Sequence, residues 1–174
     1  RTRSLPMPIS RRGLVLSAAL ALPALAGEFD QLVGTLRKAW PDRTAWAVVC
    51  DTIASKARLD ALGAAAGAGA RIIVIDVKNP QDMGKALGAL MSQQAQVLLL
   101  IPGDRVAGDG QTGATFLIQR MATQKIPTVA TTEAGAKQGA VFAVGPGTGG
   151  RVLVNAKIAQ MVGANPPDGG VPVS

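Results

Sequence analysis

Hydrophobic residues are distributed along this chain in two alternating patterns. Short runs of apolar and β-branched residues predict β-strands, and between them apolar residues recur at the spacing of one helical face. The predicted strands are 44–50, 71–77, 96–101, 126–130 and 140–144. The predicted helices are 28–40, 55–66, 80–94, 113–125 and 150–162.

The alternation of strands and helices predicts an α/β fold. Because the strands are apolar almost throughout, we expect helices to cover both faces of a parallel sheet. Right-handed crossovers then give a single doubly wound five-stranded sheet in the flavodoxin-like order 2-1-3-4-5. Ligands of such sheets bind beyond the carboxyl ends of the strands. The loops there are 51–55, 78–79, 102–104, 131–133 and 145–150.

The N-terminal segment has the order of an export signal. Arg11 and Arg12 precede an uncharged run, Gly13–Leu25, which Ala26 follows to complete an Ala-Leu-Ala cleavage pattern. We therefore expect residues 1–26 to be a signal peptide with its true start at Met7, and residues 27–174 to be one domain. A buried N-terminal helix is the alternative.

The same segment bears on the export route. Residues 10–16 read SRRGLVL and resemble the twin-arginine motif, although Leu14 stands where that motif usually has Phe. Both the general secretory and the twin-arginine route stay open. Gly27 follows the cleavage pattern where a lipoprotein needs Cys, so we expect a soluble protein of the periplasm.

Composition changes the picture in two ways. Apolar residues make up 48% of the chain but aromatic residues only 3%, so aliphatic side chains must fill the core. The net charge of +7 suggests nucleic-acid binding. However, residues 1–26 hold four of the 18 basic residues and no acidic one, so 14 basic and 11 acidic residues remain, a net of +3. We expect no nucleic-acid partner.

Missing residue types exclude most kinds of active site. The chain has no His and no Tyr, which removes Ser-His-Asp and Cys-His nucleophiles and His-ligated metals. Its single cysteine, Cys50, ends an apolar run and is expected to be a buried, inert thiol. We therefore expect a protein that is not an enzyme and has no cofactor and no metal.

Two further patterns do not predict the function that they resemble. Gly145–Gly150 satisfies G-x-G-x-x-G, but it follows the last predicted strand and does not open a βαβ unit, so a flexible helix entry is expected. A phosphorelay receiver shares the predicted fold, and Asp51 and Asp104 imitate two of its acidic residues. No second acid adjoins Asp51, however, and no Lys follows Val144.

Several motifs together resemble a known family. Residues 29–41 carry Phe-Asp-Gln-Leu and a later Trp-Pro, residues 79–83 read NPQDM, and residues 96–102 read QVLLLIP. Residues 126–129 read IPTV, and residues 133–140 read EAGAKQGA. In order and spacing these motifs resemble the second lobe of ABC-transporter substrate-binding proteins, which have the type 1 periplasmic-binding fold. No single motif is specific.

The resemblance implies a periplasmic protein that binds a small solute, such as an amino acid, and presents it to an ABC permease. Carried over by position, the ligand-binding candidates are Asp51, Thr52, Ser55, Asp104, Thr132 and Glu133. Helix capping and loop shaping are the structural alternatives for these residues.

The resemblance has departures that weaken the transfer of function. It covers the second lobe only, and residues 145–148 read GPGT where the family has an acid and an aromatic residue. A single lobe leaves its binding face open to water, so we expect a second copy, through the strand-end face, a permease or another envelope protein to complete it. A non-transport scaffold protein that reuses one lobe is the alternative function.

Overall fold

The computed structural model of the protein describes residues 27–173, so the expected signal peptide at 1–26 lies outside the described residues. The helices are α1 (Asp30–Ala39), α2 (Lys56–Ala66), α3 (Met83–Ser92), α4 (Thr112–Thr123), α5 (Glu133–Lys137) and α6 (Ala156–Met161). The strands are β1 (Ala45–Cys50), β2 (Arg71–Asp76), β3 (Val97–Leu99), β4 (Thr128–Thr132), β5 (Phe142–Gly147), β6 (Leu153–Val154) and β7 (Val171–Pro172).

The strands form one mixed, mostly parallel sheet. Their order is β2-β1-β3-β4-β5-β6-β7, and β1 to β5 are mutually parallel. Strand β6 is antiparallel to β5, and β7 is parallel to β6. The predicted wholly parallel, five-stranded sheet is therefore wrong in its strand number and at its C-terminal side, where two two-residue strands are added.

The last predicted helix, 150–162, is also wrong at its start. Strand β5 continues through Gly147, and a turn then leads into β6, so residues 145–150 are the end of β5 and the turn after it and are not a helix entry. Gly149 and Gly150 have φ values of +63° and +77°, which a helix does not accommodate. Helix α6 begins only after Asn155, whose side chain accepts a hydrogen bond from the Ile158 N–H.

Aliphatic cores lie on both faces of the sheet, as the apolar strands predict. On one face α1, α2 and α6 cover a cluster that includes Trp40, Trp46 and Phe142, with the rings of Trp40 and Phe142 5.2 Å apart. On the other face α3 and α4 cover a cluster that includes Leu98 and Met121. Full burial stabilises the fold by roughly 1.5–3 kcal/mol for each such large side chain.

Strand β2, unlike the central strands, is buried on one face only. Ile73 and Ile75 point into the core, whereas Val74 is 41% exposed and Asp76 is exposed. The reason is topological, since β2 is an edge strand with a neighbour on one side only.

Candidate functional site

Polar loops follow the carboxyl ends of β1 to β5 and form what we call the strand-end surface. It consists of residues 51–55, 76–79, 102–111, 131–133 and 145–150. Four aspartates lie in it: Asp51 follows β1, Asp76 ends β2, and Asp104 and Asp109 lie in the loop after β3. Their hydrogen bonds divide them into two pairs.

Asp104 is directed into the protein and joins two loops. Its side chain is buried, and its Oδ2 accepts hydrogen bonds from the Asp51 N–H at 2.9 Å and the Ser55 hydroxyl at 2.8 Å. Its Oδ1 accepts from the N–H groups of Val106 and Ala107 at 3.0 and 2.8 Å. With four donors around it, this carboxylate is a loop anchor and has little capacity left for a ligand.

Asp109 has the same role one strand further along the sheet. Its Oδ2 accepts from the N–H groups of Thr131 and Thr132, at 3.0 and 2.8 Å, and from the Thr132 hydroxyl at 2.7 Å. The Thr132 hydroxyl in turn accepts from the Gly135 N–H and caps α5. Asp109 therefore fixes the end of β4 to the loop that follows β3.

Asp51 and Asp76 lie at the surface and share one lysine. The Lys78 ammonium is 2.6 Å from Asp51 Oδ1 and 3.0 Å from Asp76 Oδ1. Asp51 Oδ1 also accepts from the N–H groups of Ile53 and Ala54, and Asp76 Oδ1 accepts from the N–H and hydroxyl of Thr52. We call these three charged residues the Asp51–Lys78–Asp76 cluster.

The hydrogen bonds of this cluster keep all three groups charged. The side chain of Lys78 lowers the pKa of Asp51, and the backbone and hydroxyl of Thr52 lower the pKa of Asp76 to about 2. The two carboxylates raise the pKa of Lys78. At neutral pH two negative charges therefore accompany one positive charge, and the cluster is net negative.

The structure places the six predicted site residues in four different settings. Asp51 and Thr52 belong to the surface cluster, Ser55 and Asp104 form the buried anchor beside it, and Thr132 binds Asp109. Glu133 is half-exposed and pairs with Lys137 one helical turn away, at 3.0 Å. The capping alternative is thus observed for Thr132.

Sequence reasoning missed three residues of this surface: Asp76, Lys78 and Asp109. Asp76 and Lys78 stand at the end of a predicted strand, where a parallel sheet collects ligand-binding groups, so position alone was a usable signal. Nothing in the sequence marked Asp109, because it lies within an irregular loop between β3 and α4.

The single cysteine lies directly below this surface. Cys50 is fully buried at the end of β1, and burial together with the charge of Asp104 raises its pKa to about 12. A thiol that stays protonated is a poor nucleophile.

Two further features lie at the strand-end surface. Ile53 projects from the loop after β1 and is 82% exposed. At the margin of the surface, an open groove of about 310 Å³ runs between the end of β2 and α3, lined by residues that include Val77, Asp82 and Ala86.

Within residues 27–173, no group of three His, Cys, Asp or Glu side chains is placed to hold a metal ion.

The fold is similar to that of a solved substrate-binding protein. CD0873 of Clostridium difficile, a substrate binding protein with adhesive properties in its ligand-free, open form, matches with a TM-score of 0.68 and 18% sequence identity. The match covers 83% of this chain and 59% of that one, so this chain spans little more than half the length of CD0873. At this identity the likeness shows that the two proteins share a fold.

Other comparisons add little to this likeness. No protein-family model matches the sequence, and a search of curated proteins finds no match either. None of the helices between residues 27 and 173 is long and apolar enough to cross a membrane.

Proposed function

We propose that this chain is an exported solute-binding module of an ABC uptake system, and that its strand-end surface binds a small solute with an amino group, such as an amino acid. The observation that carries the proposal is the Asp51–Lys78–Asp76 cluster at the carboxyl ends of β1 and β2. In this proposal the chain binds its ligand without transforming it.

The Asp51–Lys78–Asp76 cluster has hydrogen-bond acceptors and a donor that are free to bind an amino acid. Among residues 27–173 the hydrogen bonds to Asp51 and Asp76 all reach the Oδ1 atoms, so both Oδ2 atoms are open to a ligand. A net negative pair of carboxylates suits an ammonium group through charge-assisted hydrogen bonds. Lys78 has three donors and uses two, which leaves one for a carboxylate of the same solute.

A second polypeptide is needed to enclose the solute. The cluster lies at an open surface, whereas small-molecule sites bury most of their ligand. We propose that a permease or another envelope protein covers the strand-end surface in the periplasm. Residues 1–26, with their paired arginines and apolar run, support the export that this location requires.

A second candidate function is a non-transport envelope interaction protein. The observation that favours it is the internal use of Asp104 and Asp109, together with the exposed Ile53 at the same surface. A surface in which two acids serve as loop anchors and a large apolar side chain projects into solvent suits contact with a protein. CD0873 itself combines substrate binding with adhesive properties.

The test is isothermal titration calorimetry of the full chain against a panel of amino acids and other small amines. We expect binding that weakens at least about tenfold in Asp76→Asn, because a hydrogen bond to a charged group contributes roughly 1.5–3 kcal/mol. The matched control is Asp60→Asn, which removes an exposed carboxylate from an ion pair on α2.

Two results would count against solute binding. One is the absence of any heat of binding across the panel, and the other is equal affinity in Asp76→Asn and the wild type. An envelope protein that binds the chain without any solute, and that Ile53→Lys releases, would support the second candidate.

A further inference from the structure

The two edges of the sheet differ in how they are protected. Strand β7 has only two residues, and one of them, Pro172, has no N–H to offer. Strand β2 has six residues, Arg71–Asp76, without a proline and in unbroken register with β1. Proteins usually shorten, charge or bulge an exposed edge, because an unprotected one pairs with other chains.

The outer edge of β2 carries unpaired backbone groups. The N–H groups of Arg71 and Val77 point to β1 and bind the carbonyl oxygens of Thr44 and Cys50. Because N–H direction alternates along a strand, the N–H and C=O groups of Ile72, Val74 and Asp76 point outwards. No backbone hydrogen bond from the rest of residues 27–173 reaches these three residues.

The side chains in the middle of strand β2, where a partner strand would lie, are apolar. Val74, at the middle of the strand, is 41% exposed, and Ile72 is partly exposed beside it. Neither the middle of the strand nor its register with β1 contains the lysine, proline or bulge that would discourage pairing.

We propose that two copies of this chain associate through β2, with the two strands antiparallel and Val74 opposite Val74 of the second copy. In this register Ile72 of each copy lies opposite Asp76 of the other. All three outward residues of each strand then form hydrogen-bonded pairs. A shift by one pair to either side leaves one outward residue of each strand unpaired.

The charges of the chain fit a second copy in this register. Asp76 lies opposite Ile72, so the two Asp76 carboxylates are kept apart. Arg71 of one copy lies beside Val77 of the other, on the α3 face of the sheet. The groove of about 310 Å³ there is lined by two acids, Asp76 and Asp82, and two lysines, Lys78 and Lys85, so no excess of positive charge opposes that arginine.

The expected strength follows from the length of the contact. Six paired residues span about 20 Å, and such a strip buries less than the roughly 800 Å² per partner of a standard interface. We therefore expect a dimer that dissociates on dilution. Because the strands are antiparallel, the strand-end surfaces of the two copies face opposite directions and both stay open, so this inference does not depend on solute binding.

The test is sedimentation velocity of the full chain over a dilution series. We expect a species of twice the chain mass that dissociates on dilution, and a dissociation constant raised at least tenfold in Val74→Lys, which places two ammonium groups at the symmetry axis. Met161→Lys, at a half-exposed apolar residue of α6, is the matched control and should leave the dimer intact. Circular dichroism checks that each variant is folded.

A cysteine variant tests the register itself. Hydrogen-bonded antiparallel partners have Cα atoms about 5.5 Å apart, within the range that a disulfide bridges. Oxidation of Val74→Cys should therefore give a covalent dimer, and oxidation of Ile53→Cys should not. The native Cys50 does not compete, because it is buried. A chain that is monomeric at all concentrations, or a dimer that Ile53→Lys dissociates and Val74→Lys does not, would overturn the proposal.

Discussion

Asp104 and Asp76 both stand at the carboxyl edge of the same sheet, yet they have opposite roles. Asp104 is 4% exposed and accepts four hydrogen bonds from two loops. Asp76 is half-exposed, shares Lys78 with Asp51 and keeps one oxygen open. Asp104 and Asp109, which we call the inward acids, hold the strand-end loops in place. Asp51 and Asp76, which we call the outward acids, lie at the surface.

The comparison shows that a residue at a strand end is not necessarily available to bind a ligand. A buried carboxylate surrounded by N–H donors is already satisfied, whereas a surface carboxylate with an open oxygen is available. Asp104 also helps to position Asp51, since the Asp51 N–H donates to its carboxylate.

Removing the inward anchor should have the largest effect. In Asp104→Ala the N–H groups of Asp51, Val106 and Ala107 and the Ser55 hydroxyl lose their acceptor. We expect the free energy of unfolding to fall by about 3–5 kcal/mol, measured by urea denaturation. Asp60→Ala, at an exposed acid, should stay within about 0.5 kcal/mol of the wild type. Equal stability of the two variants would contradict the anchoring role of Asp104.

A smaller loss is expected where α5 packs against the second anchor. A Cβ atom at Gly135 would lie 2.6 Å from Asp109 Oδ2 and would also overlap the Ala130 side chain. Gly135→Ala should therefore destabilise the protein by about 1–3 kcal/mol. Gly84→Ala in α3 is the control, because nothing lies within 4 Å of its added Cβ. It should be neutral or slightly stabilising, and thermal unfolding of the two variants side by side decides the matter.

The outward acids should make the smallest contribution to stability, and one that depends on pH. The pKa of Asp76 is lowered from 3.8 to about 2 in the folded chain, so its contribution is complete above pH 4 and is lost as the pH falls towards 2. Unfolding measured between pH 5 and pH 2 should show a shallower acid dependence in Asp76→Asn than in the wild type. An unchanged slope would show that Thr52 and Lys78 do not stabilise this carboxylate.

Most of the fold could be predicted from the sequence, because β1 to β5 are apolar runs separated by helical periodicity. The prediction failed after Gly147, where β6 and β7 have two residues each and α6 is a single short helix. Segments of that length carry too few positions for a period to be recognised. Helix α5 is not predicted for the same reason, although helix capping is the structural alternative given for Thr132, which caps it.

The candidate site could be predicted in location but not in roles. Strand-end loops identified Asp51, Thr52, Ser55 and Asp104, and the structure brings these together. Whether a carboxylate points inwards depends on which N–H groups surround it, and that is decided by loop conformation rather than by residue type. By contrast, the edge position of β2, which exposes Asp76, follows from the predicted strand order, and β2 is an edge strand in the structure.

The most direct test of the central claim is a nuclear magnetic resonance titration of the isotope-labelled full chain with the amino acid that binds best in calorimetry. If the outward acids form the binding site, backbone amide signals of Thr52, Ile53 and Lys78 should shift with ligand concentration. Signals of Val106 and Ala107 around the inward anchor should move much less. Shifts confined to the α3 side of the groove, at Lys85, Ala86 and Ala89, or to Ile72 and Val74 of the β2 edge, with Thr52 and Lys78 unchanged, would contradict the account.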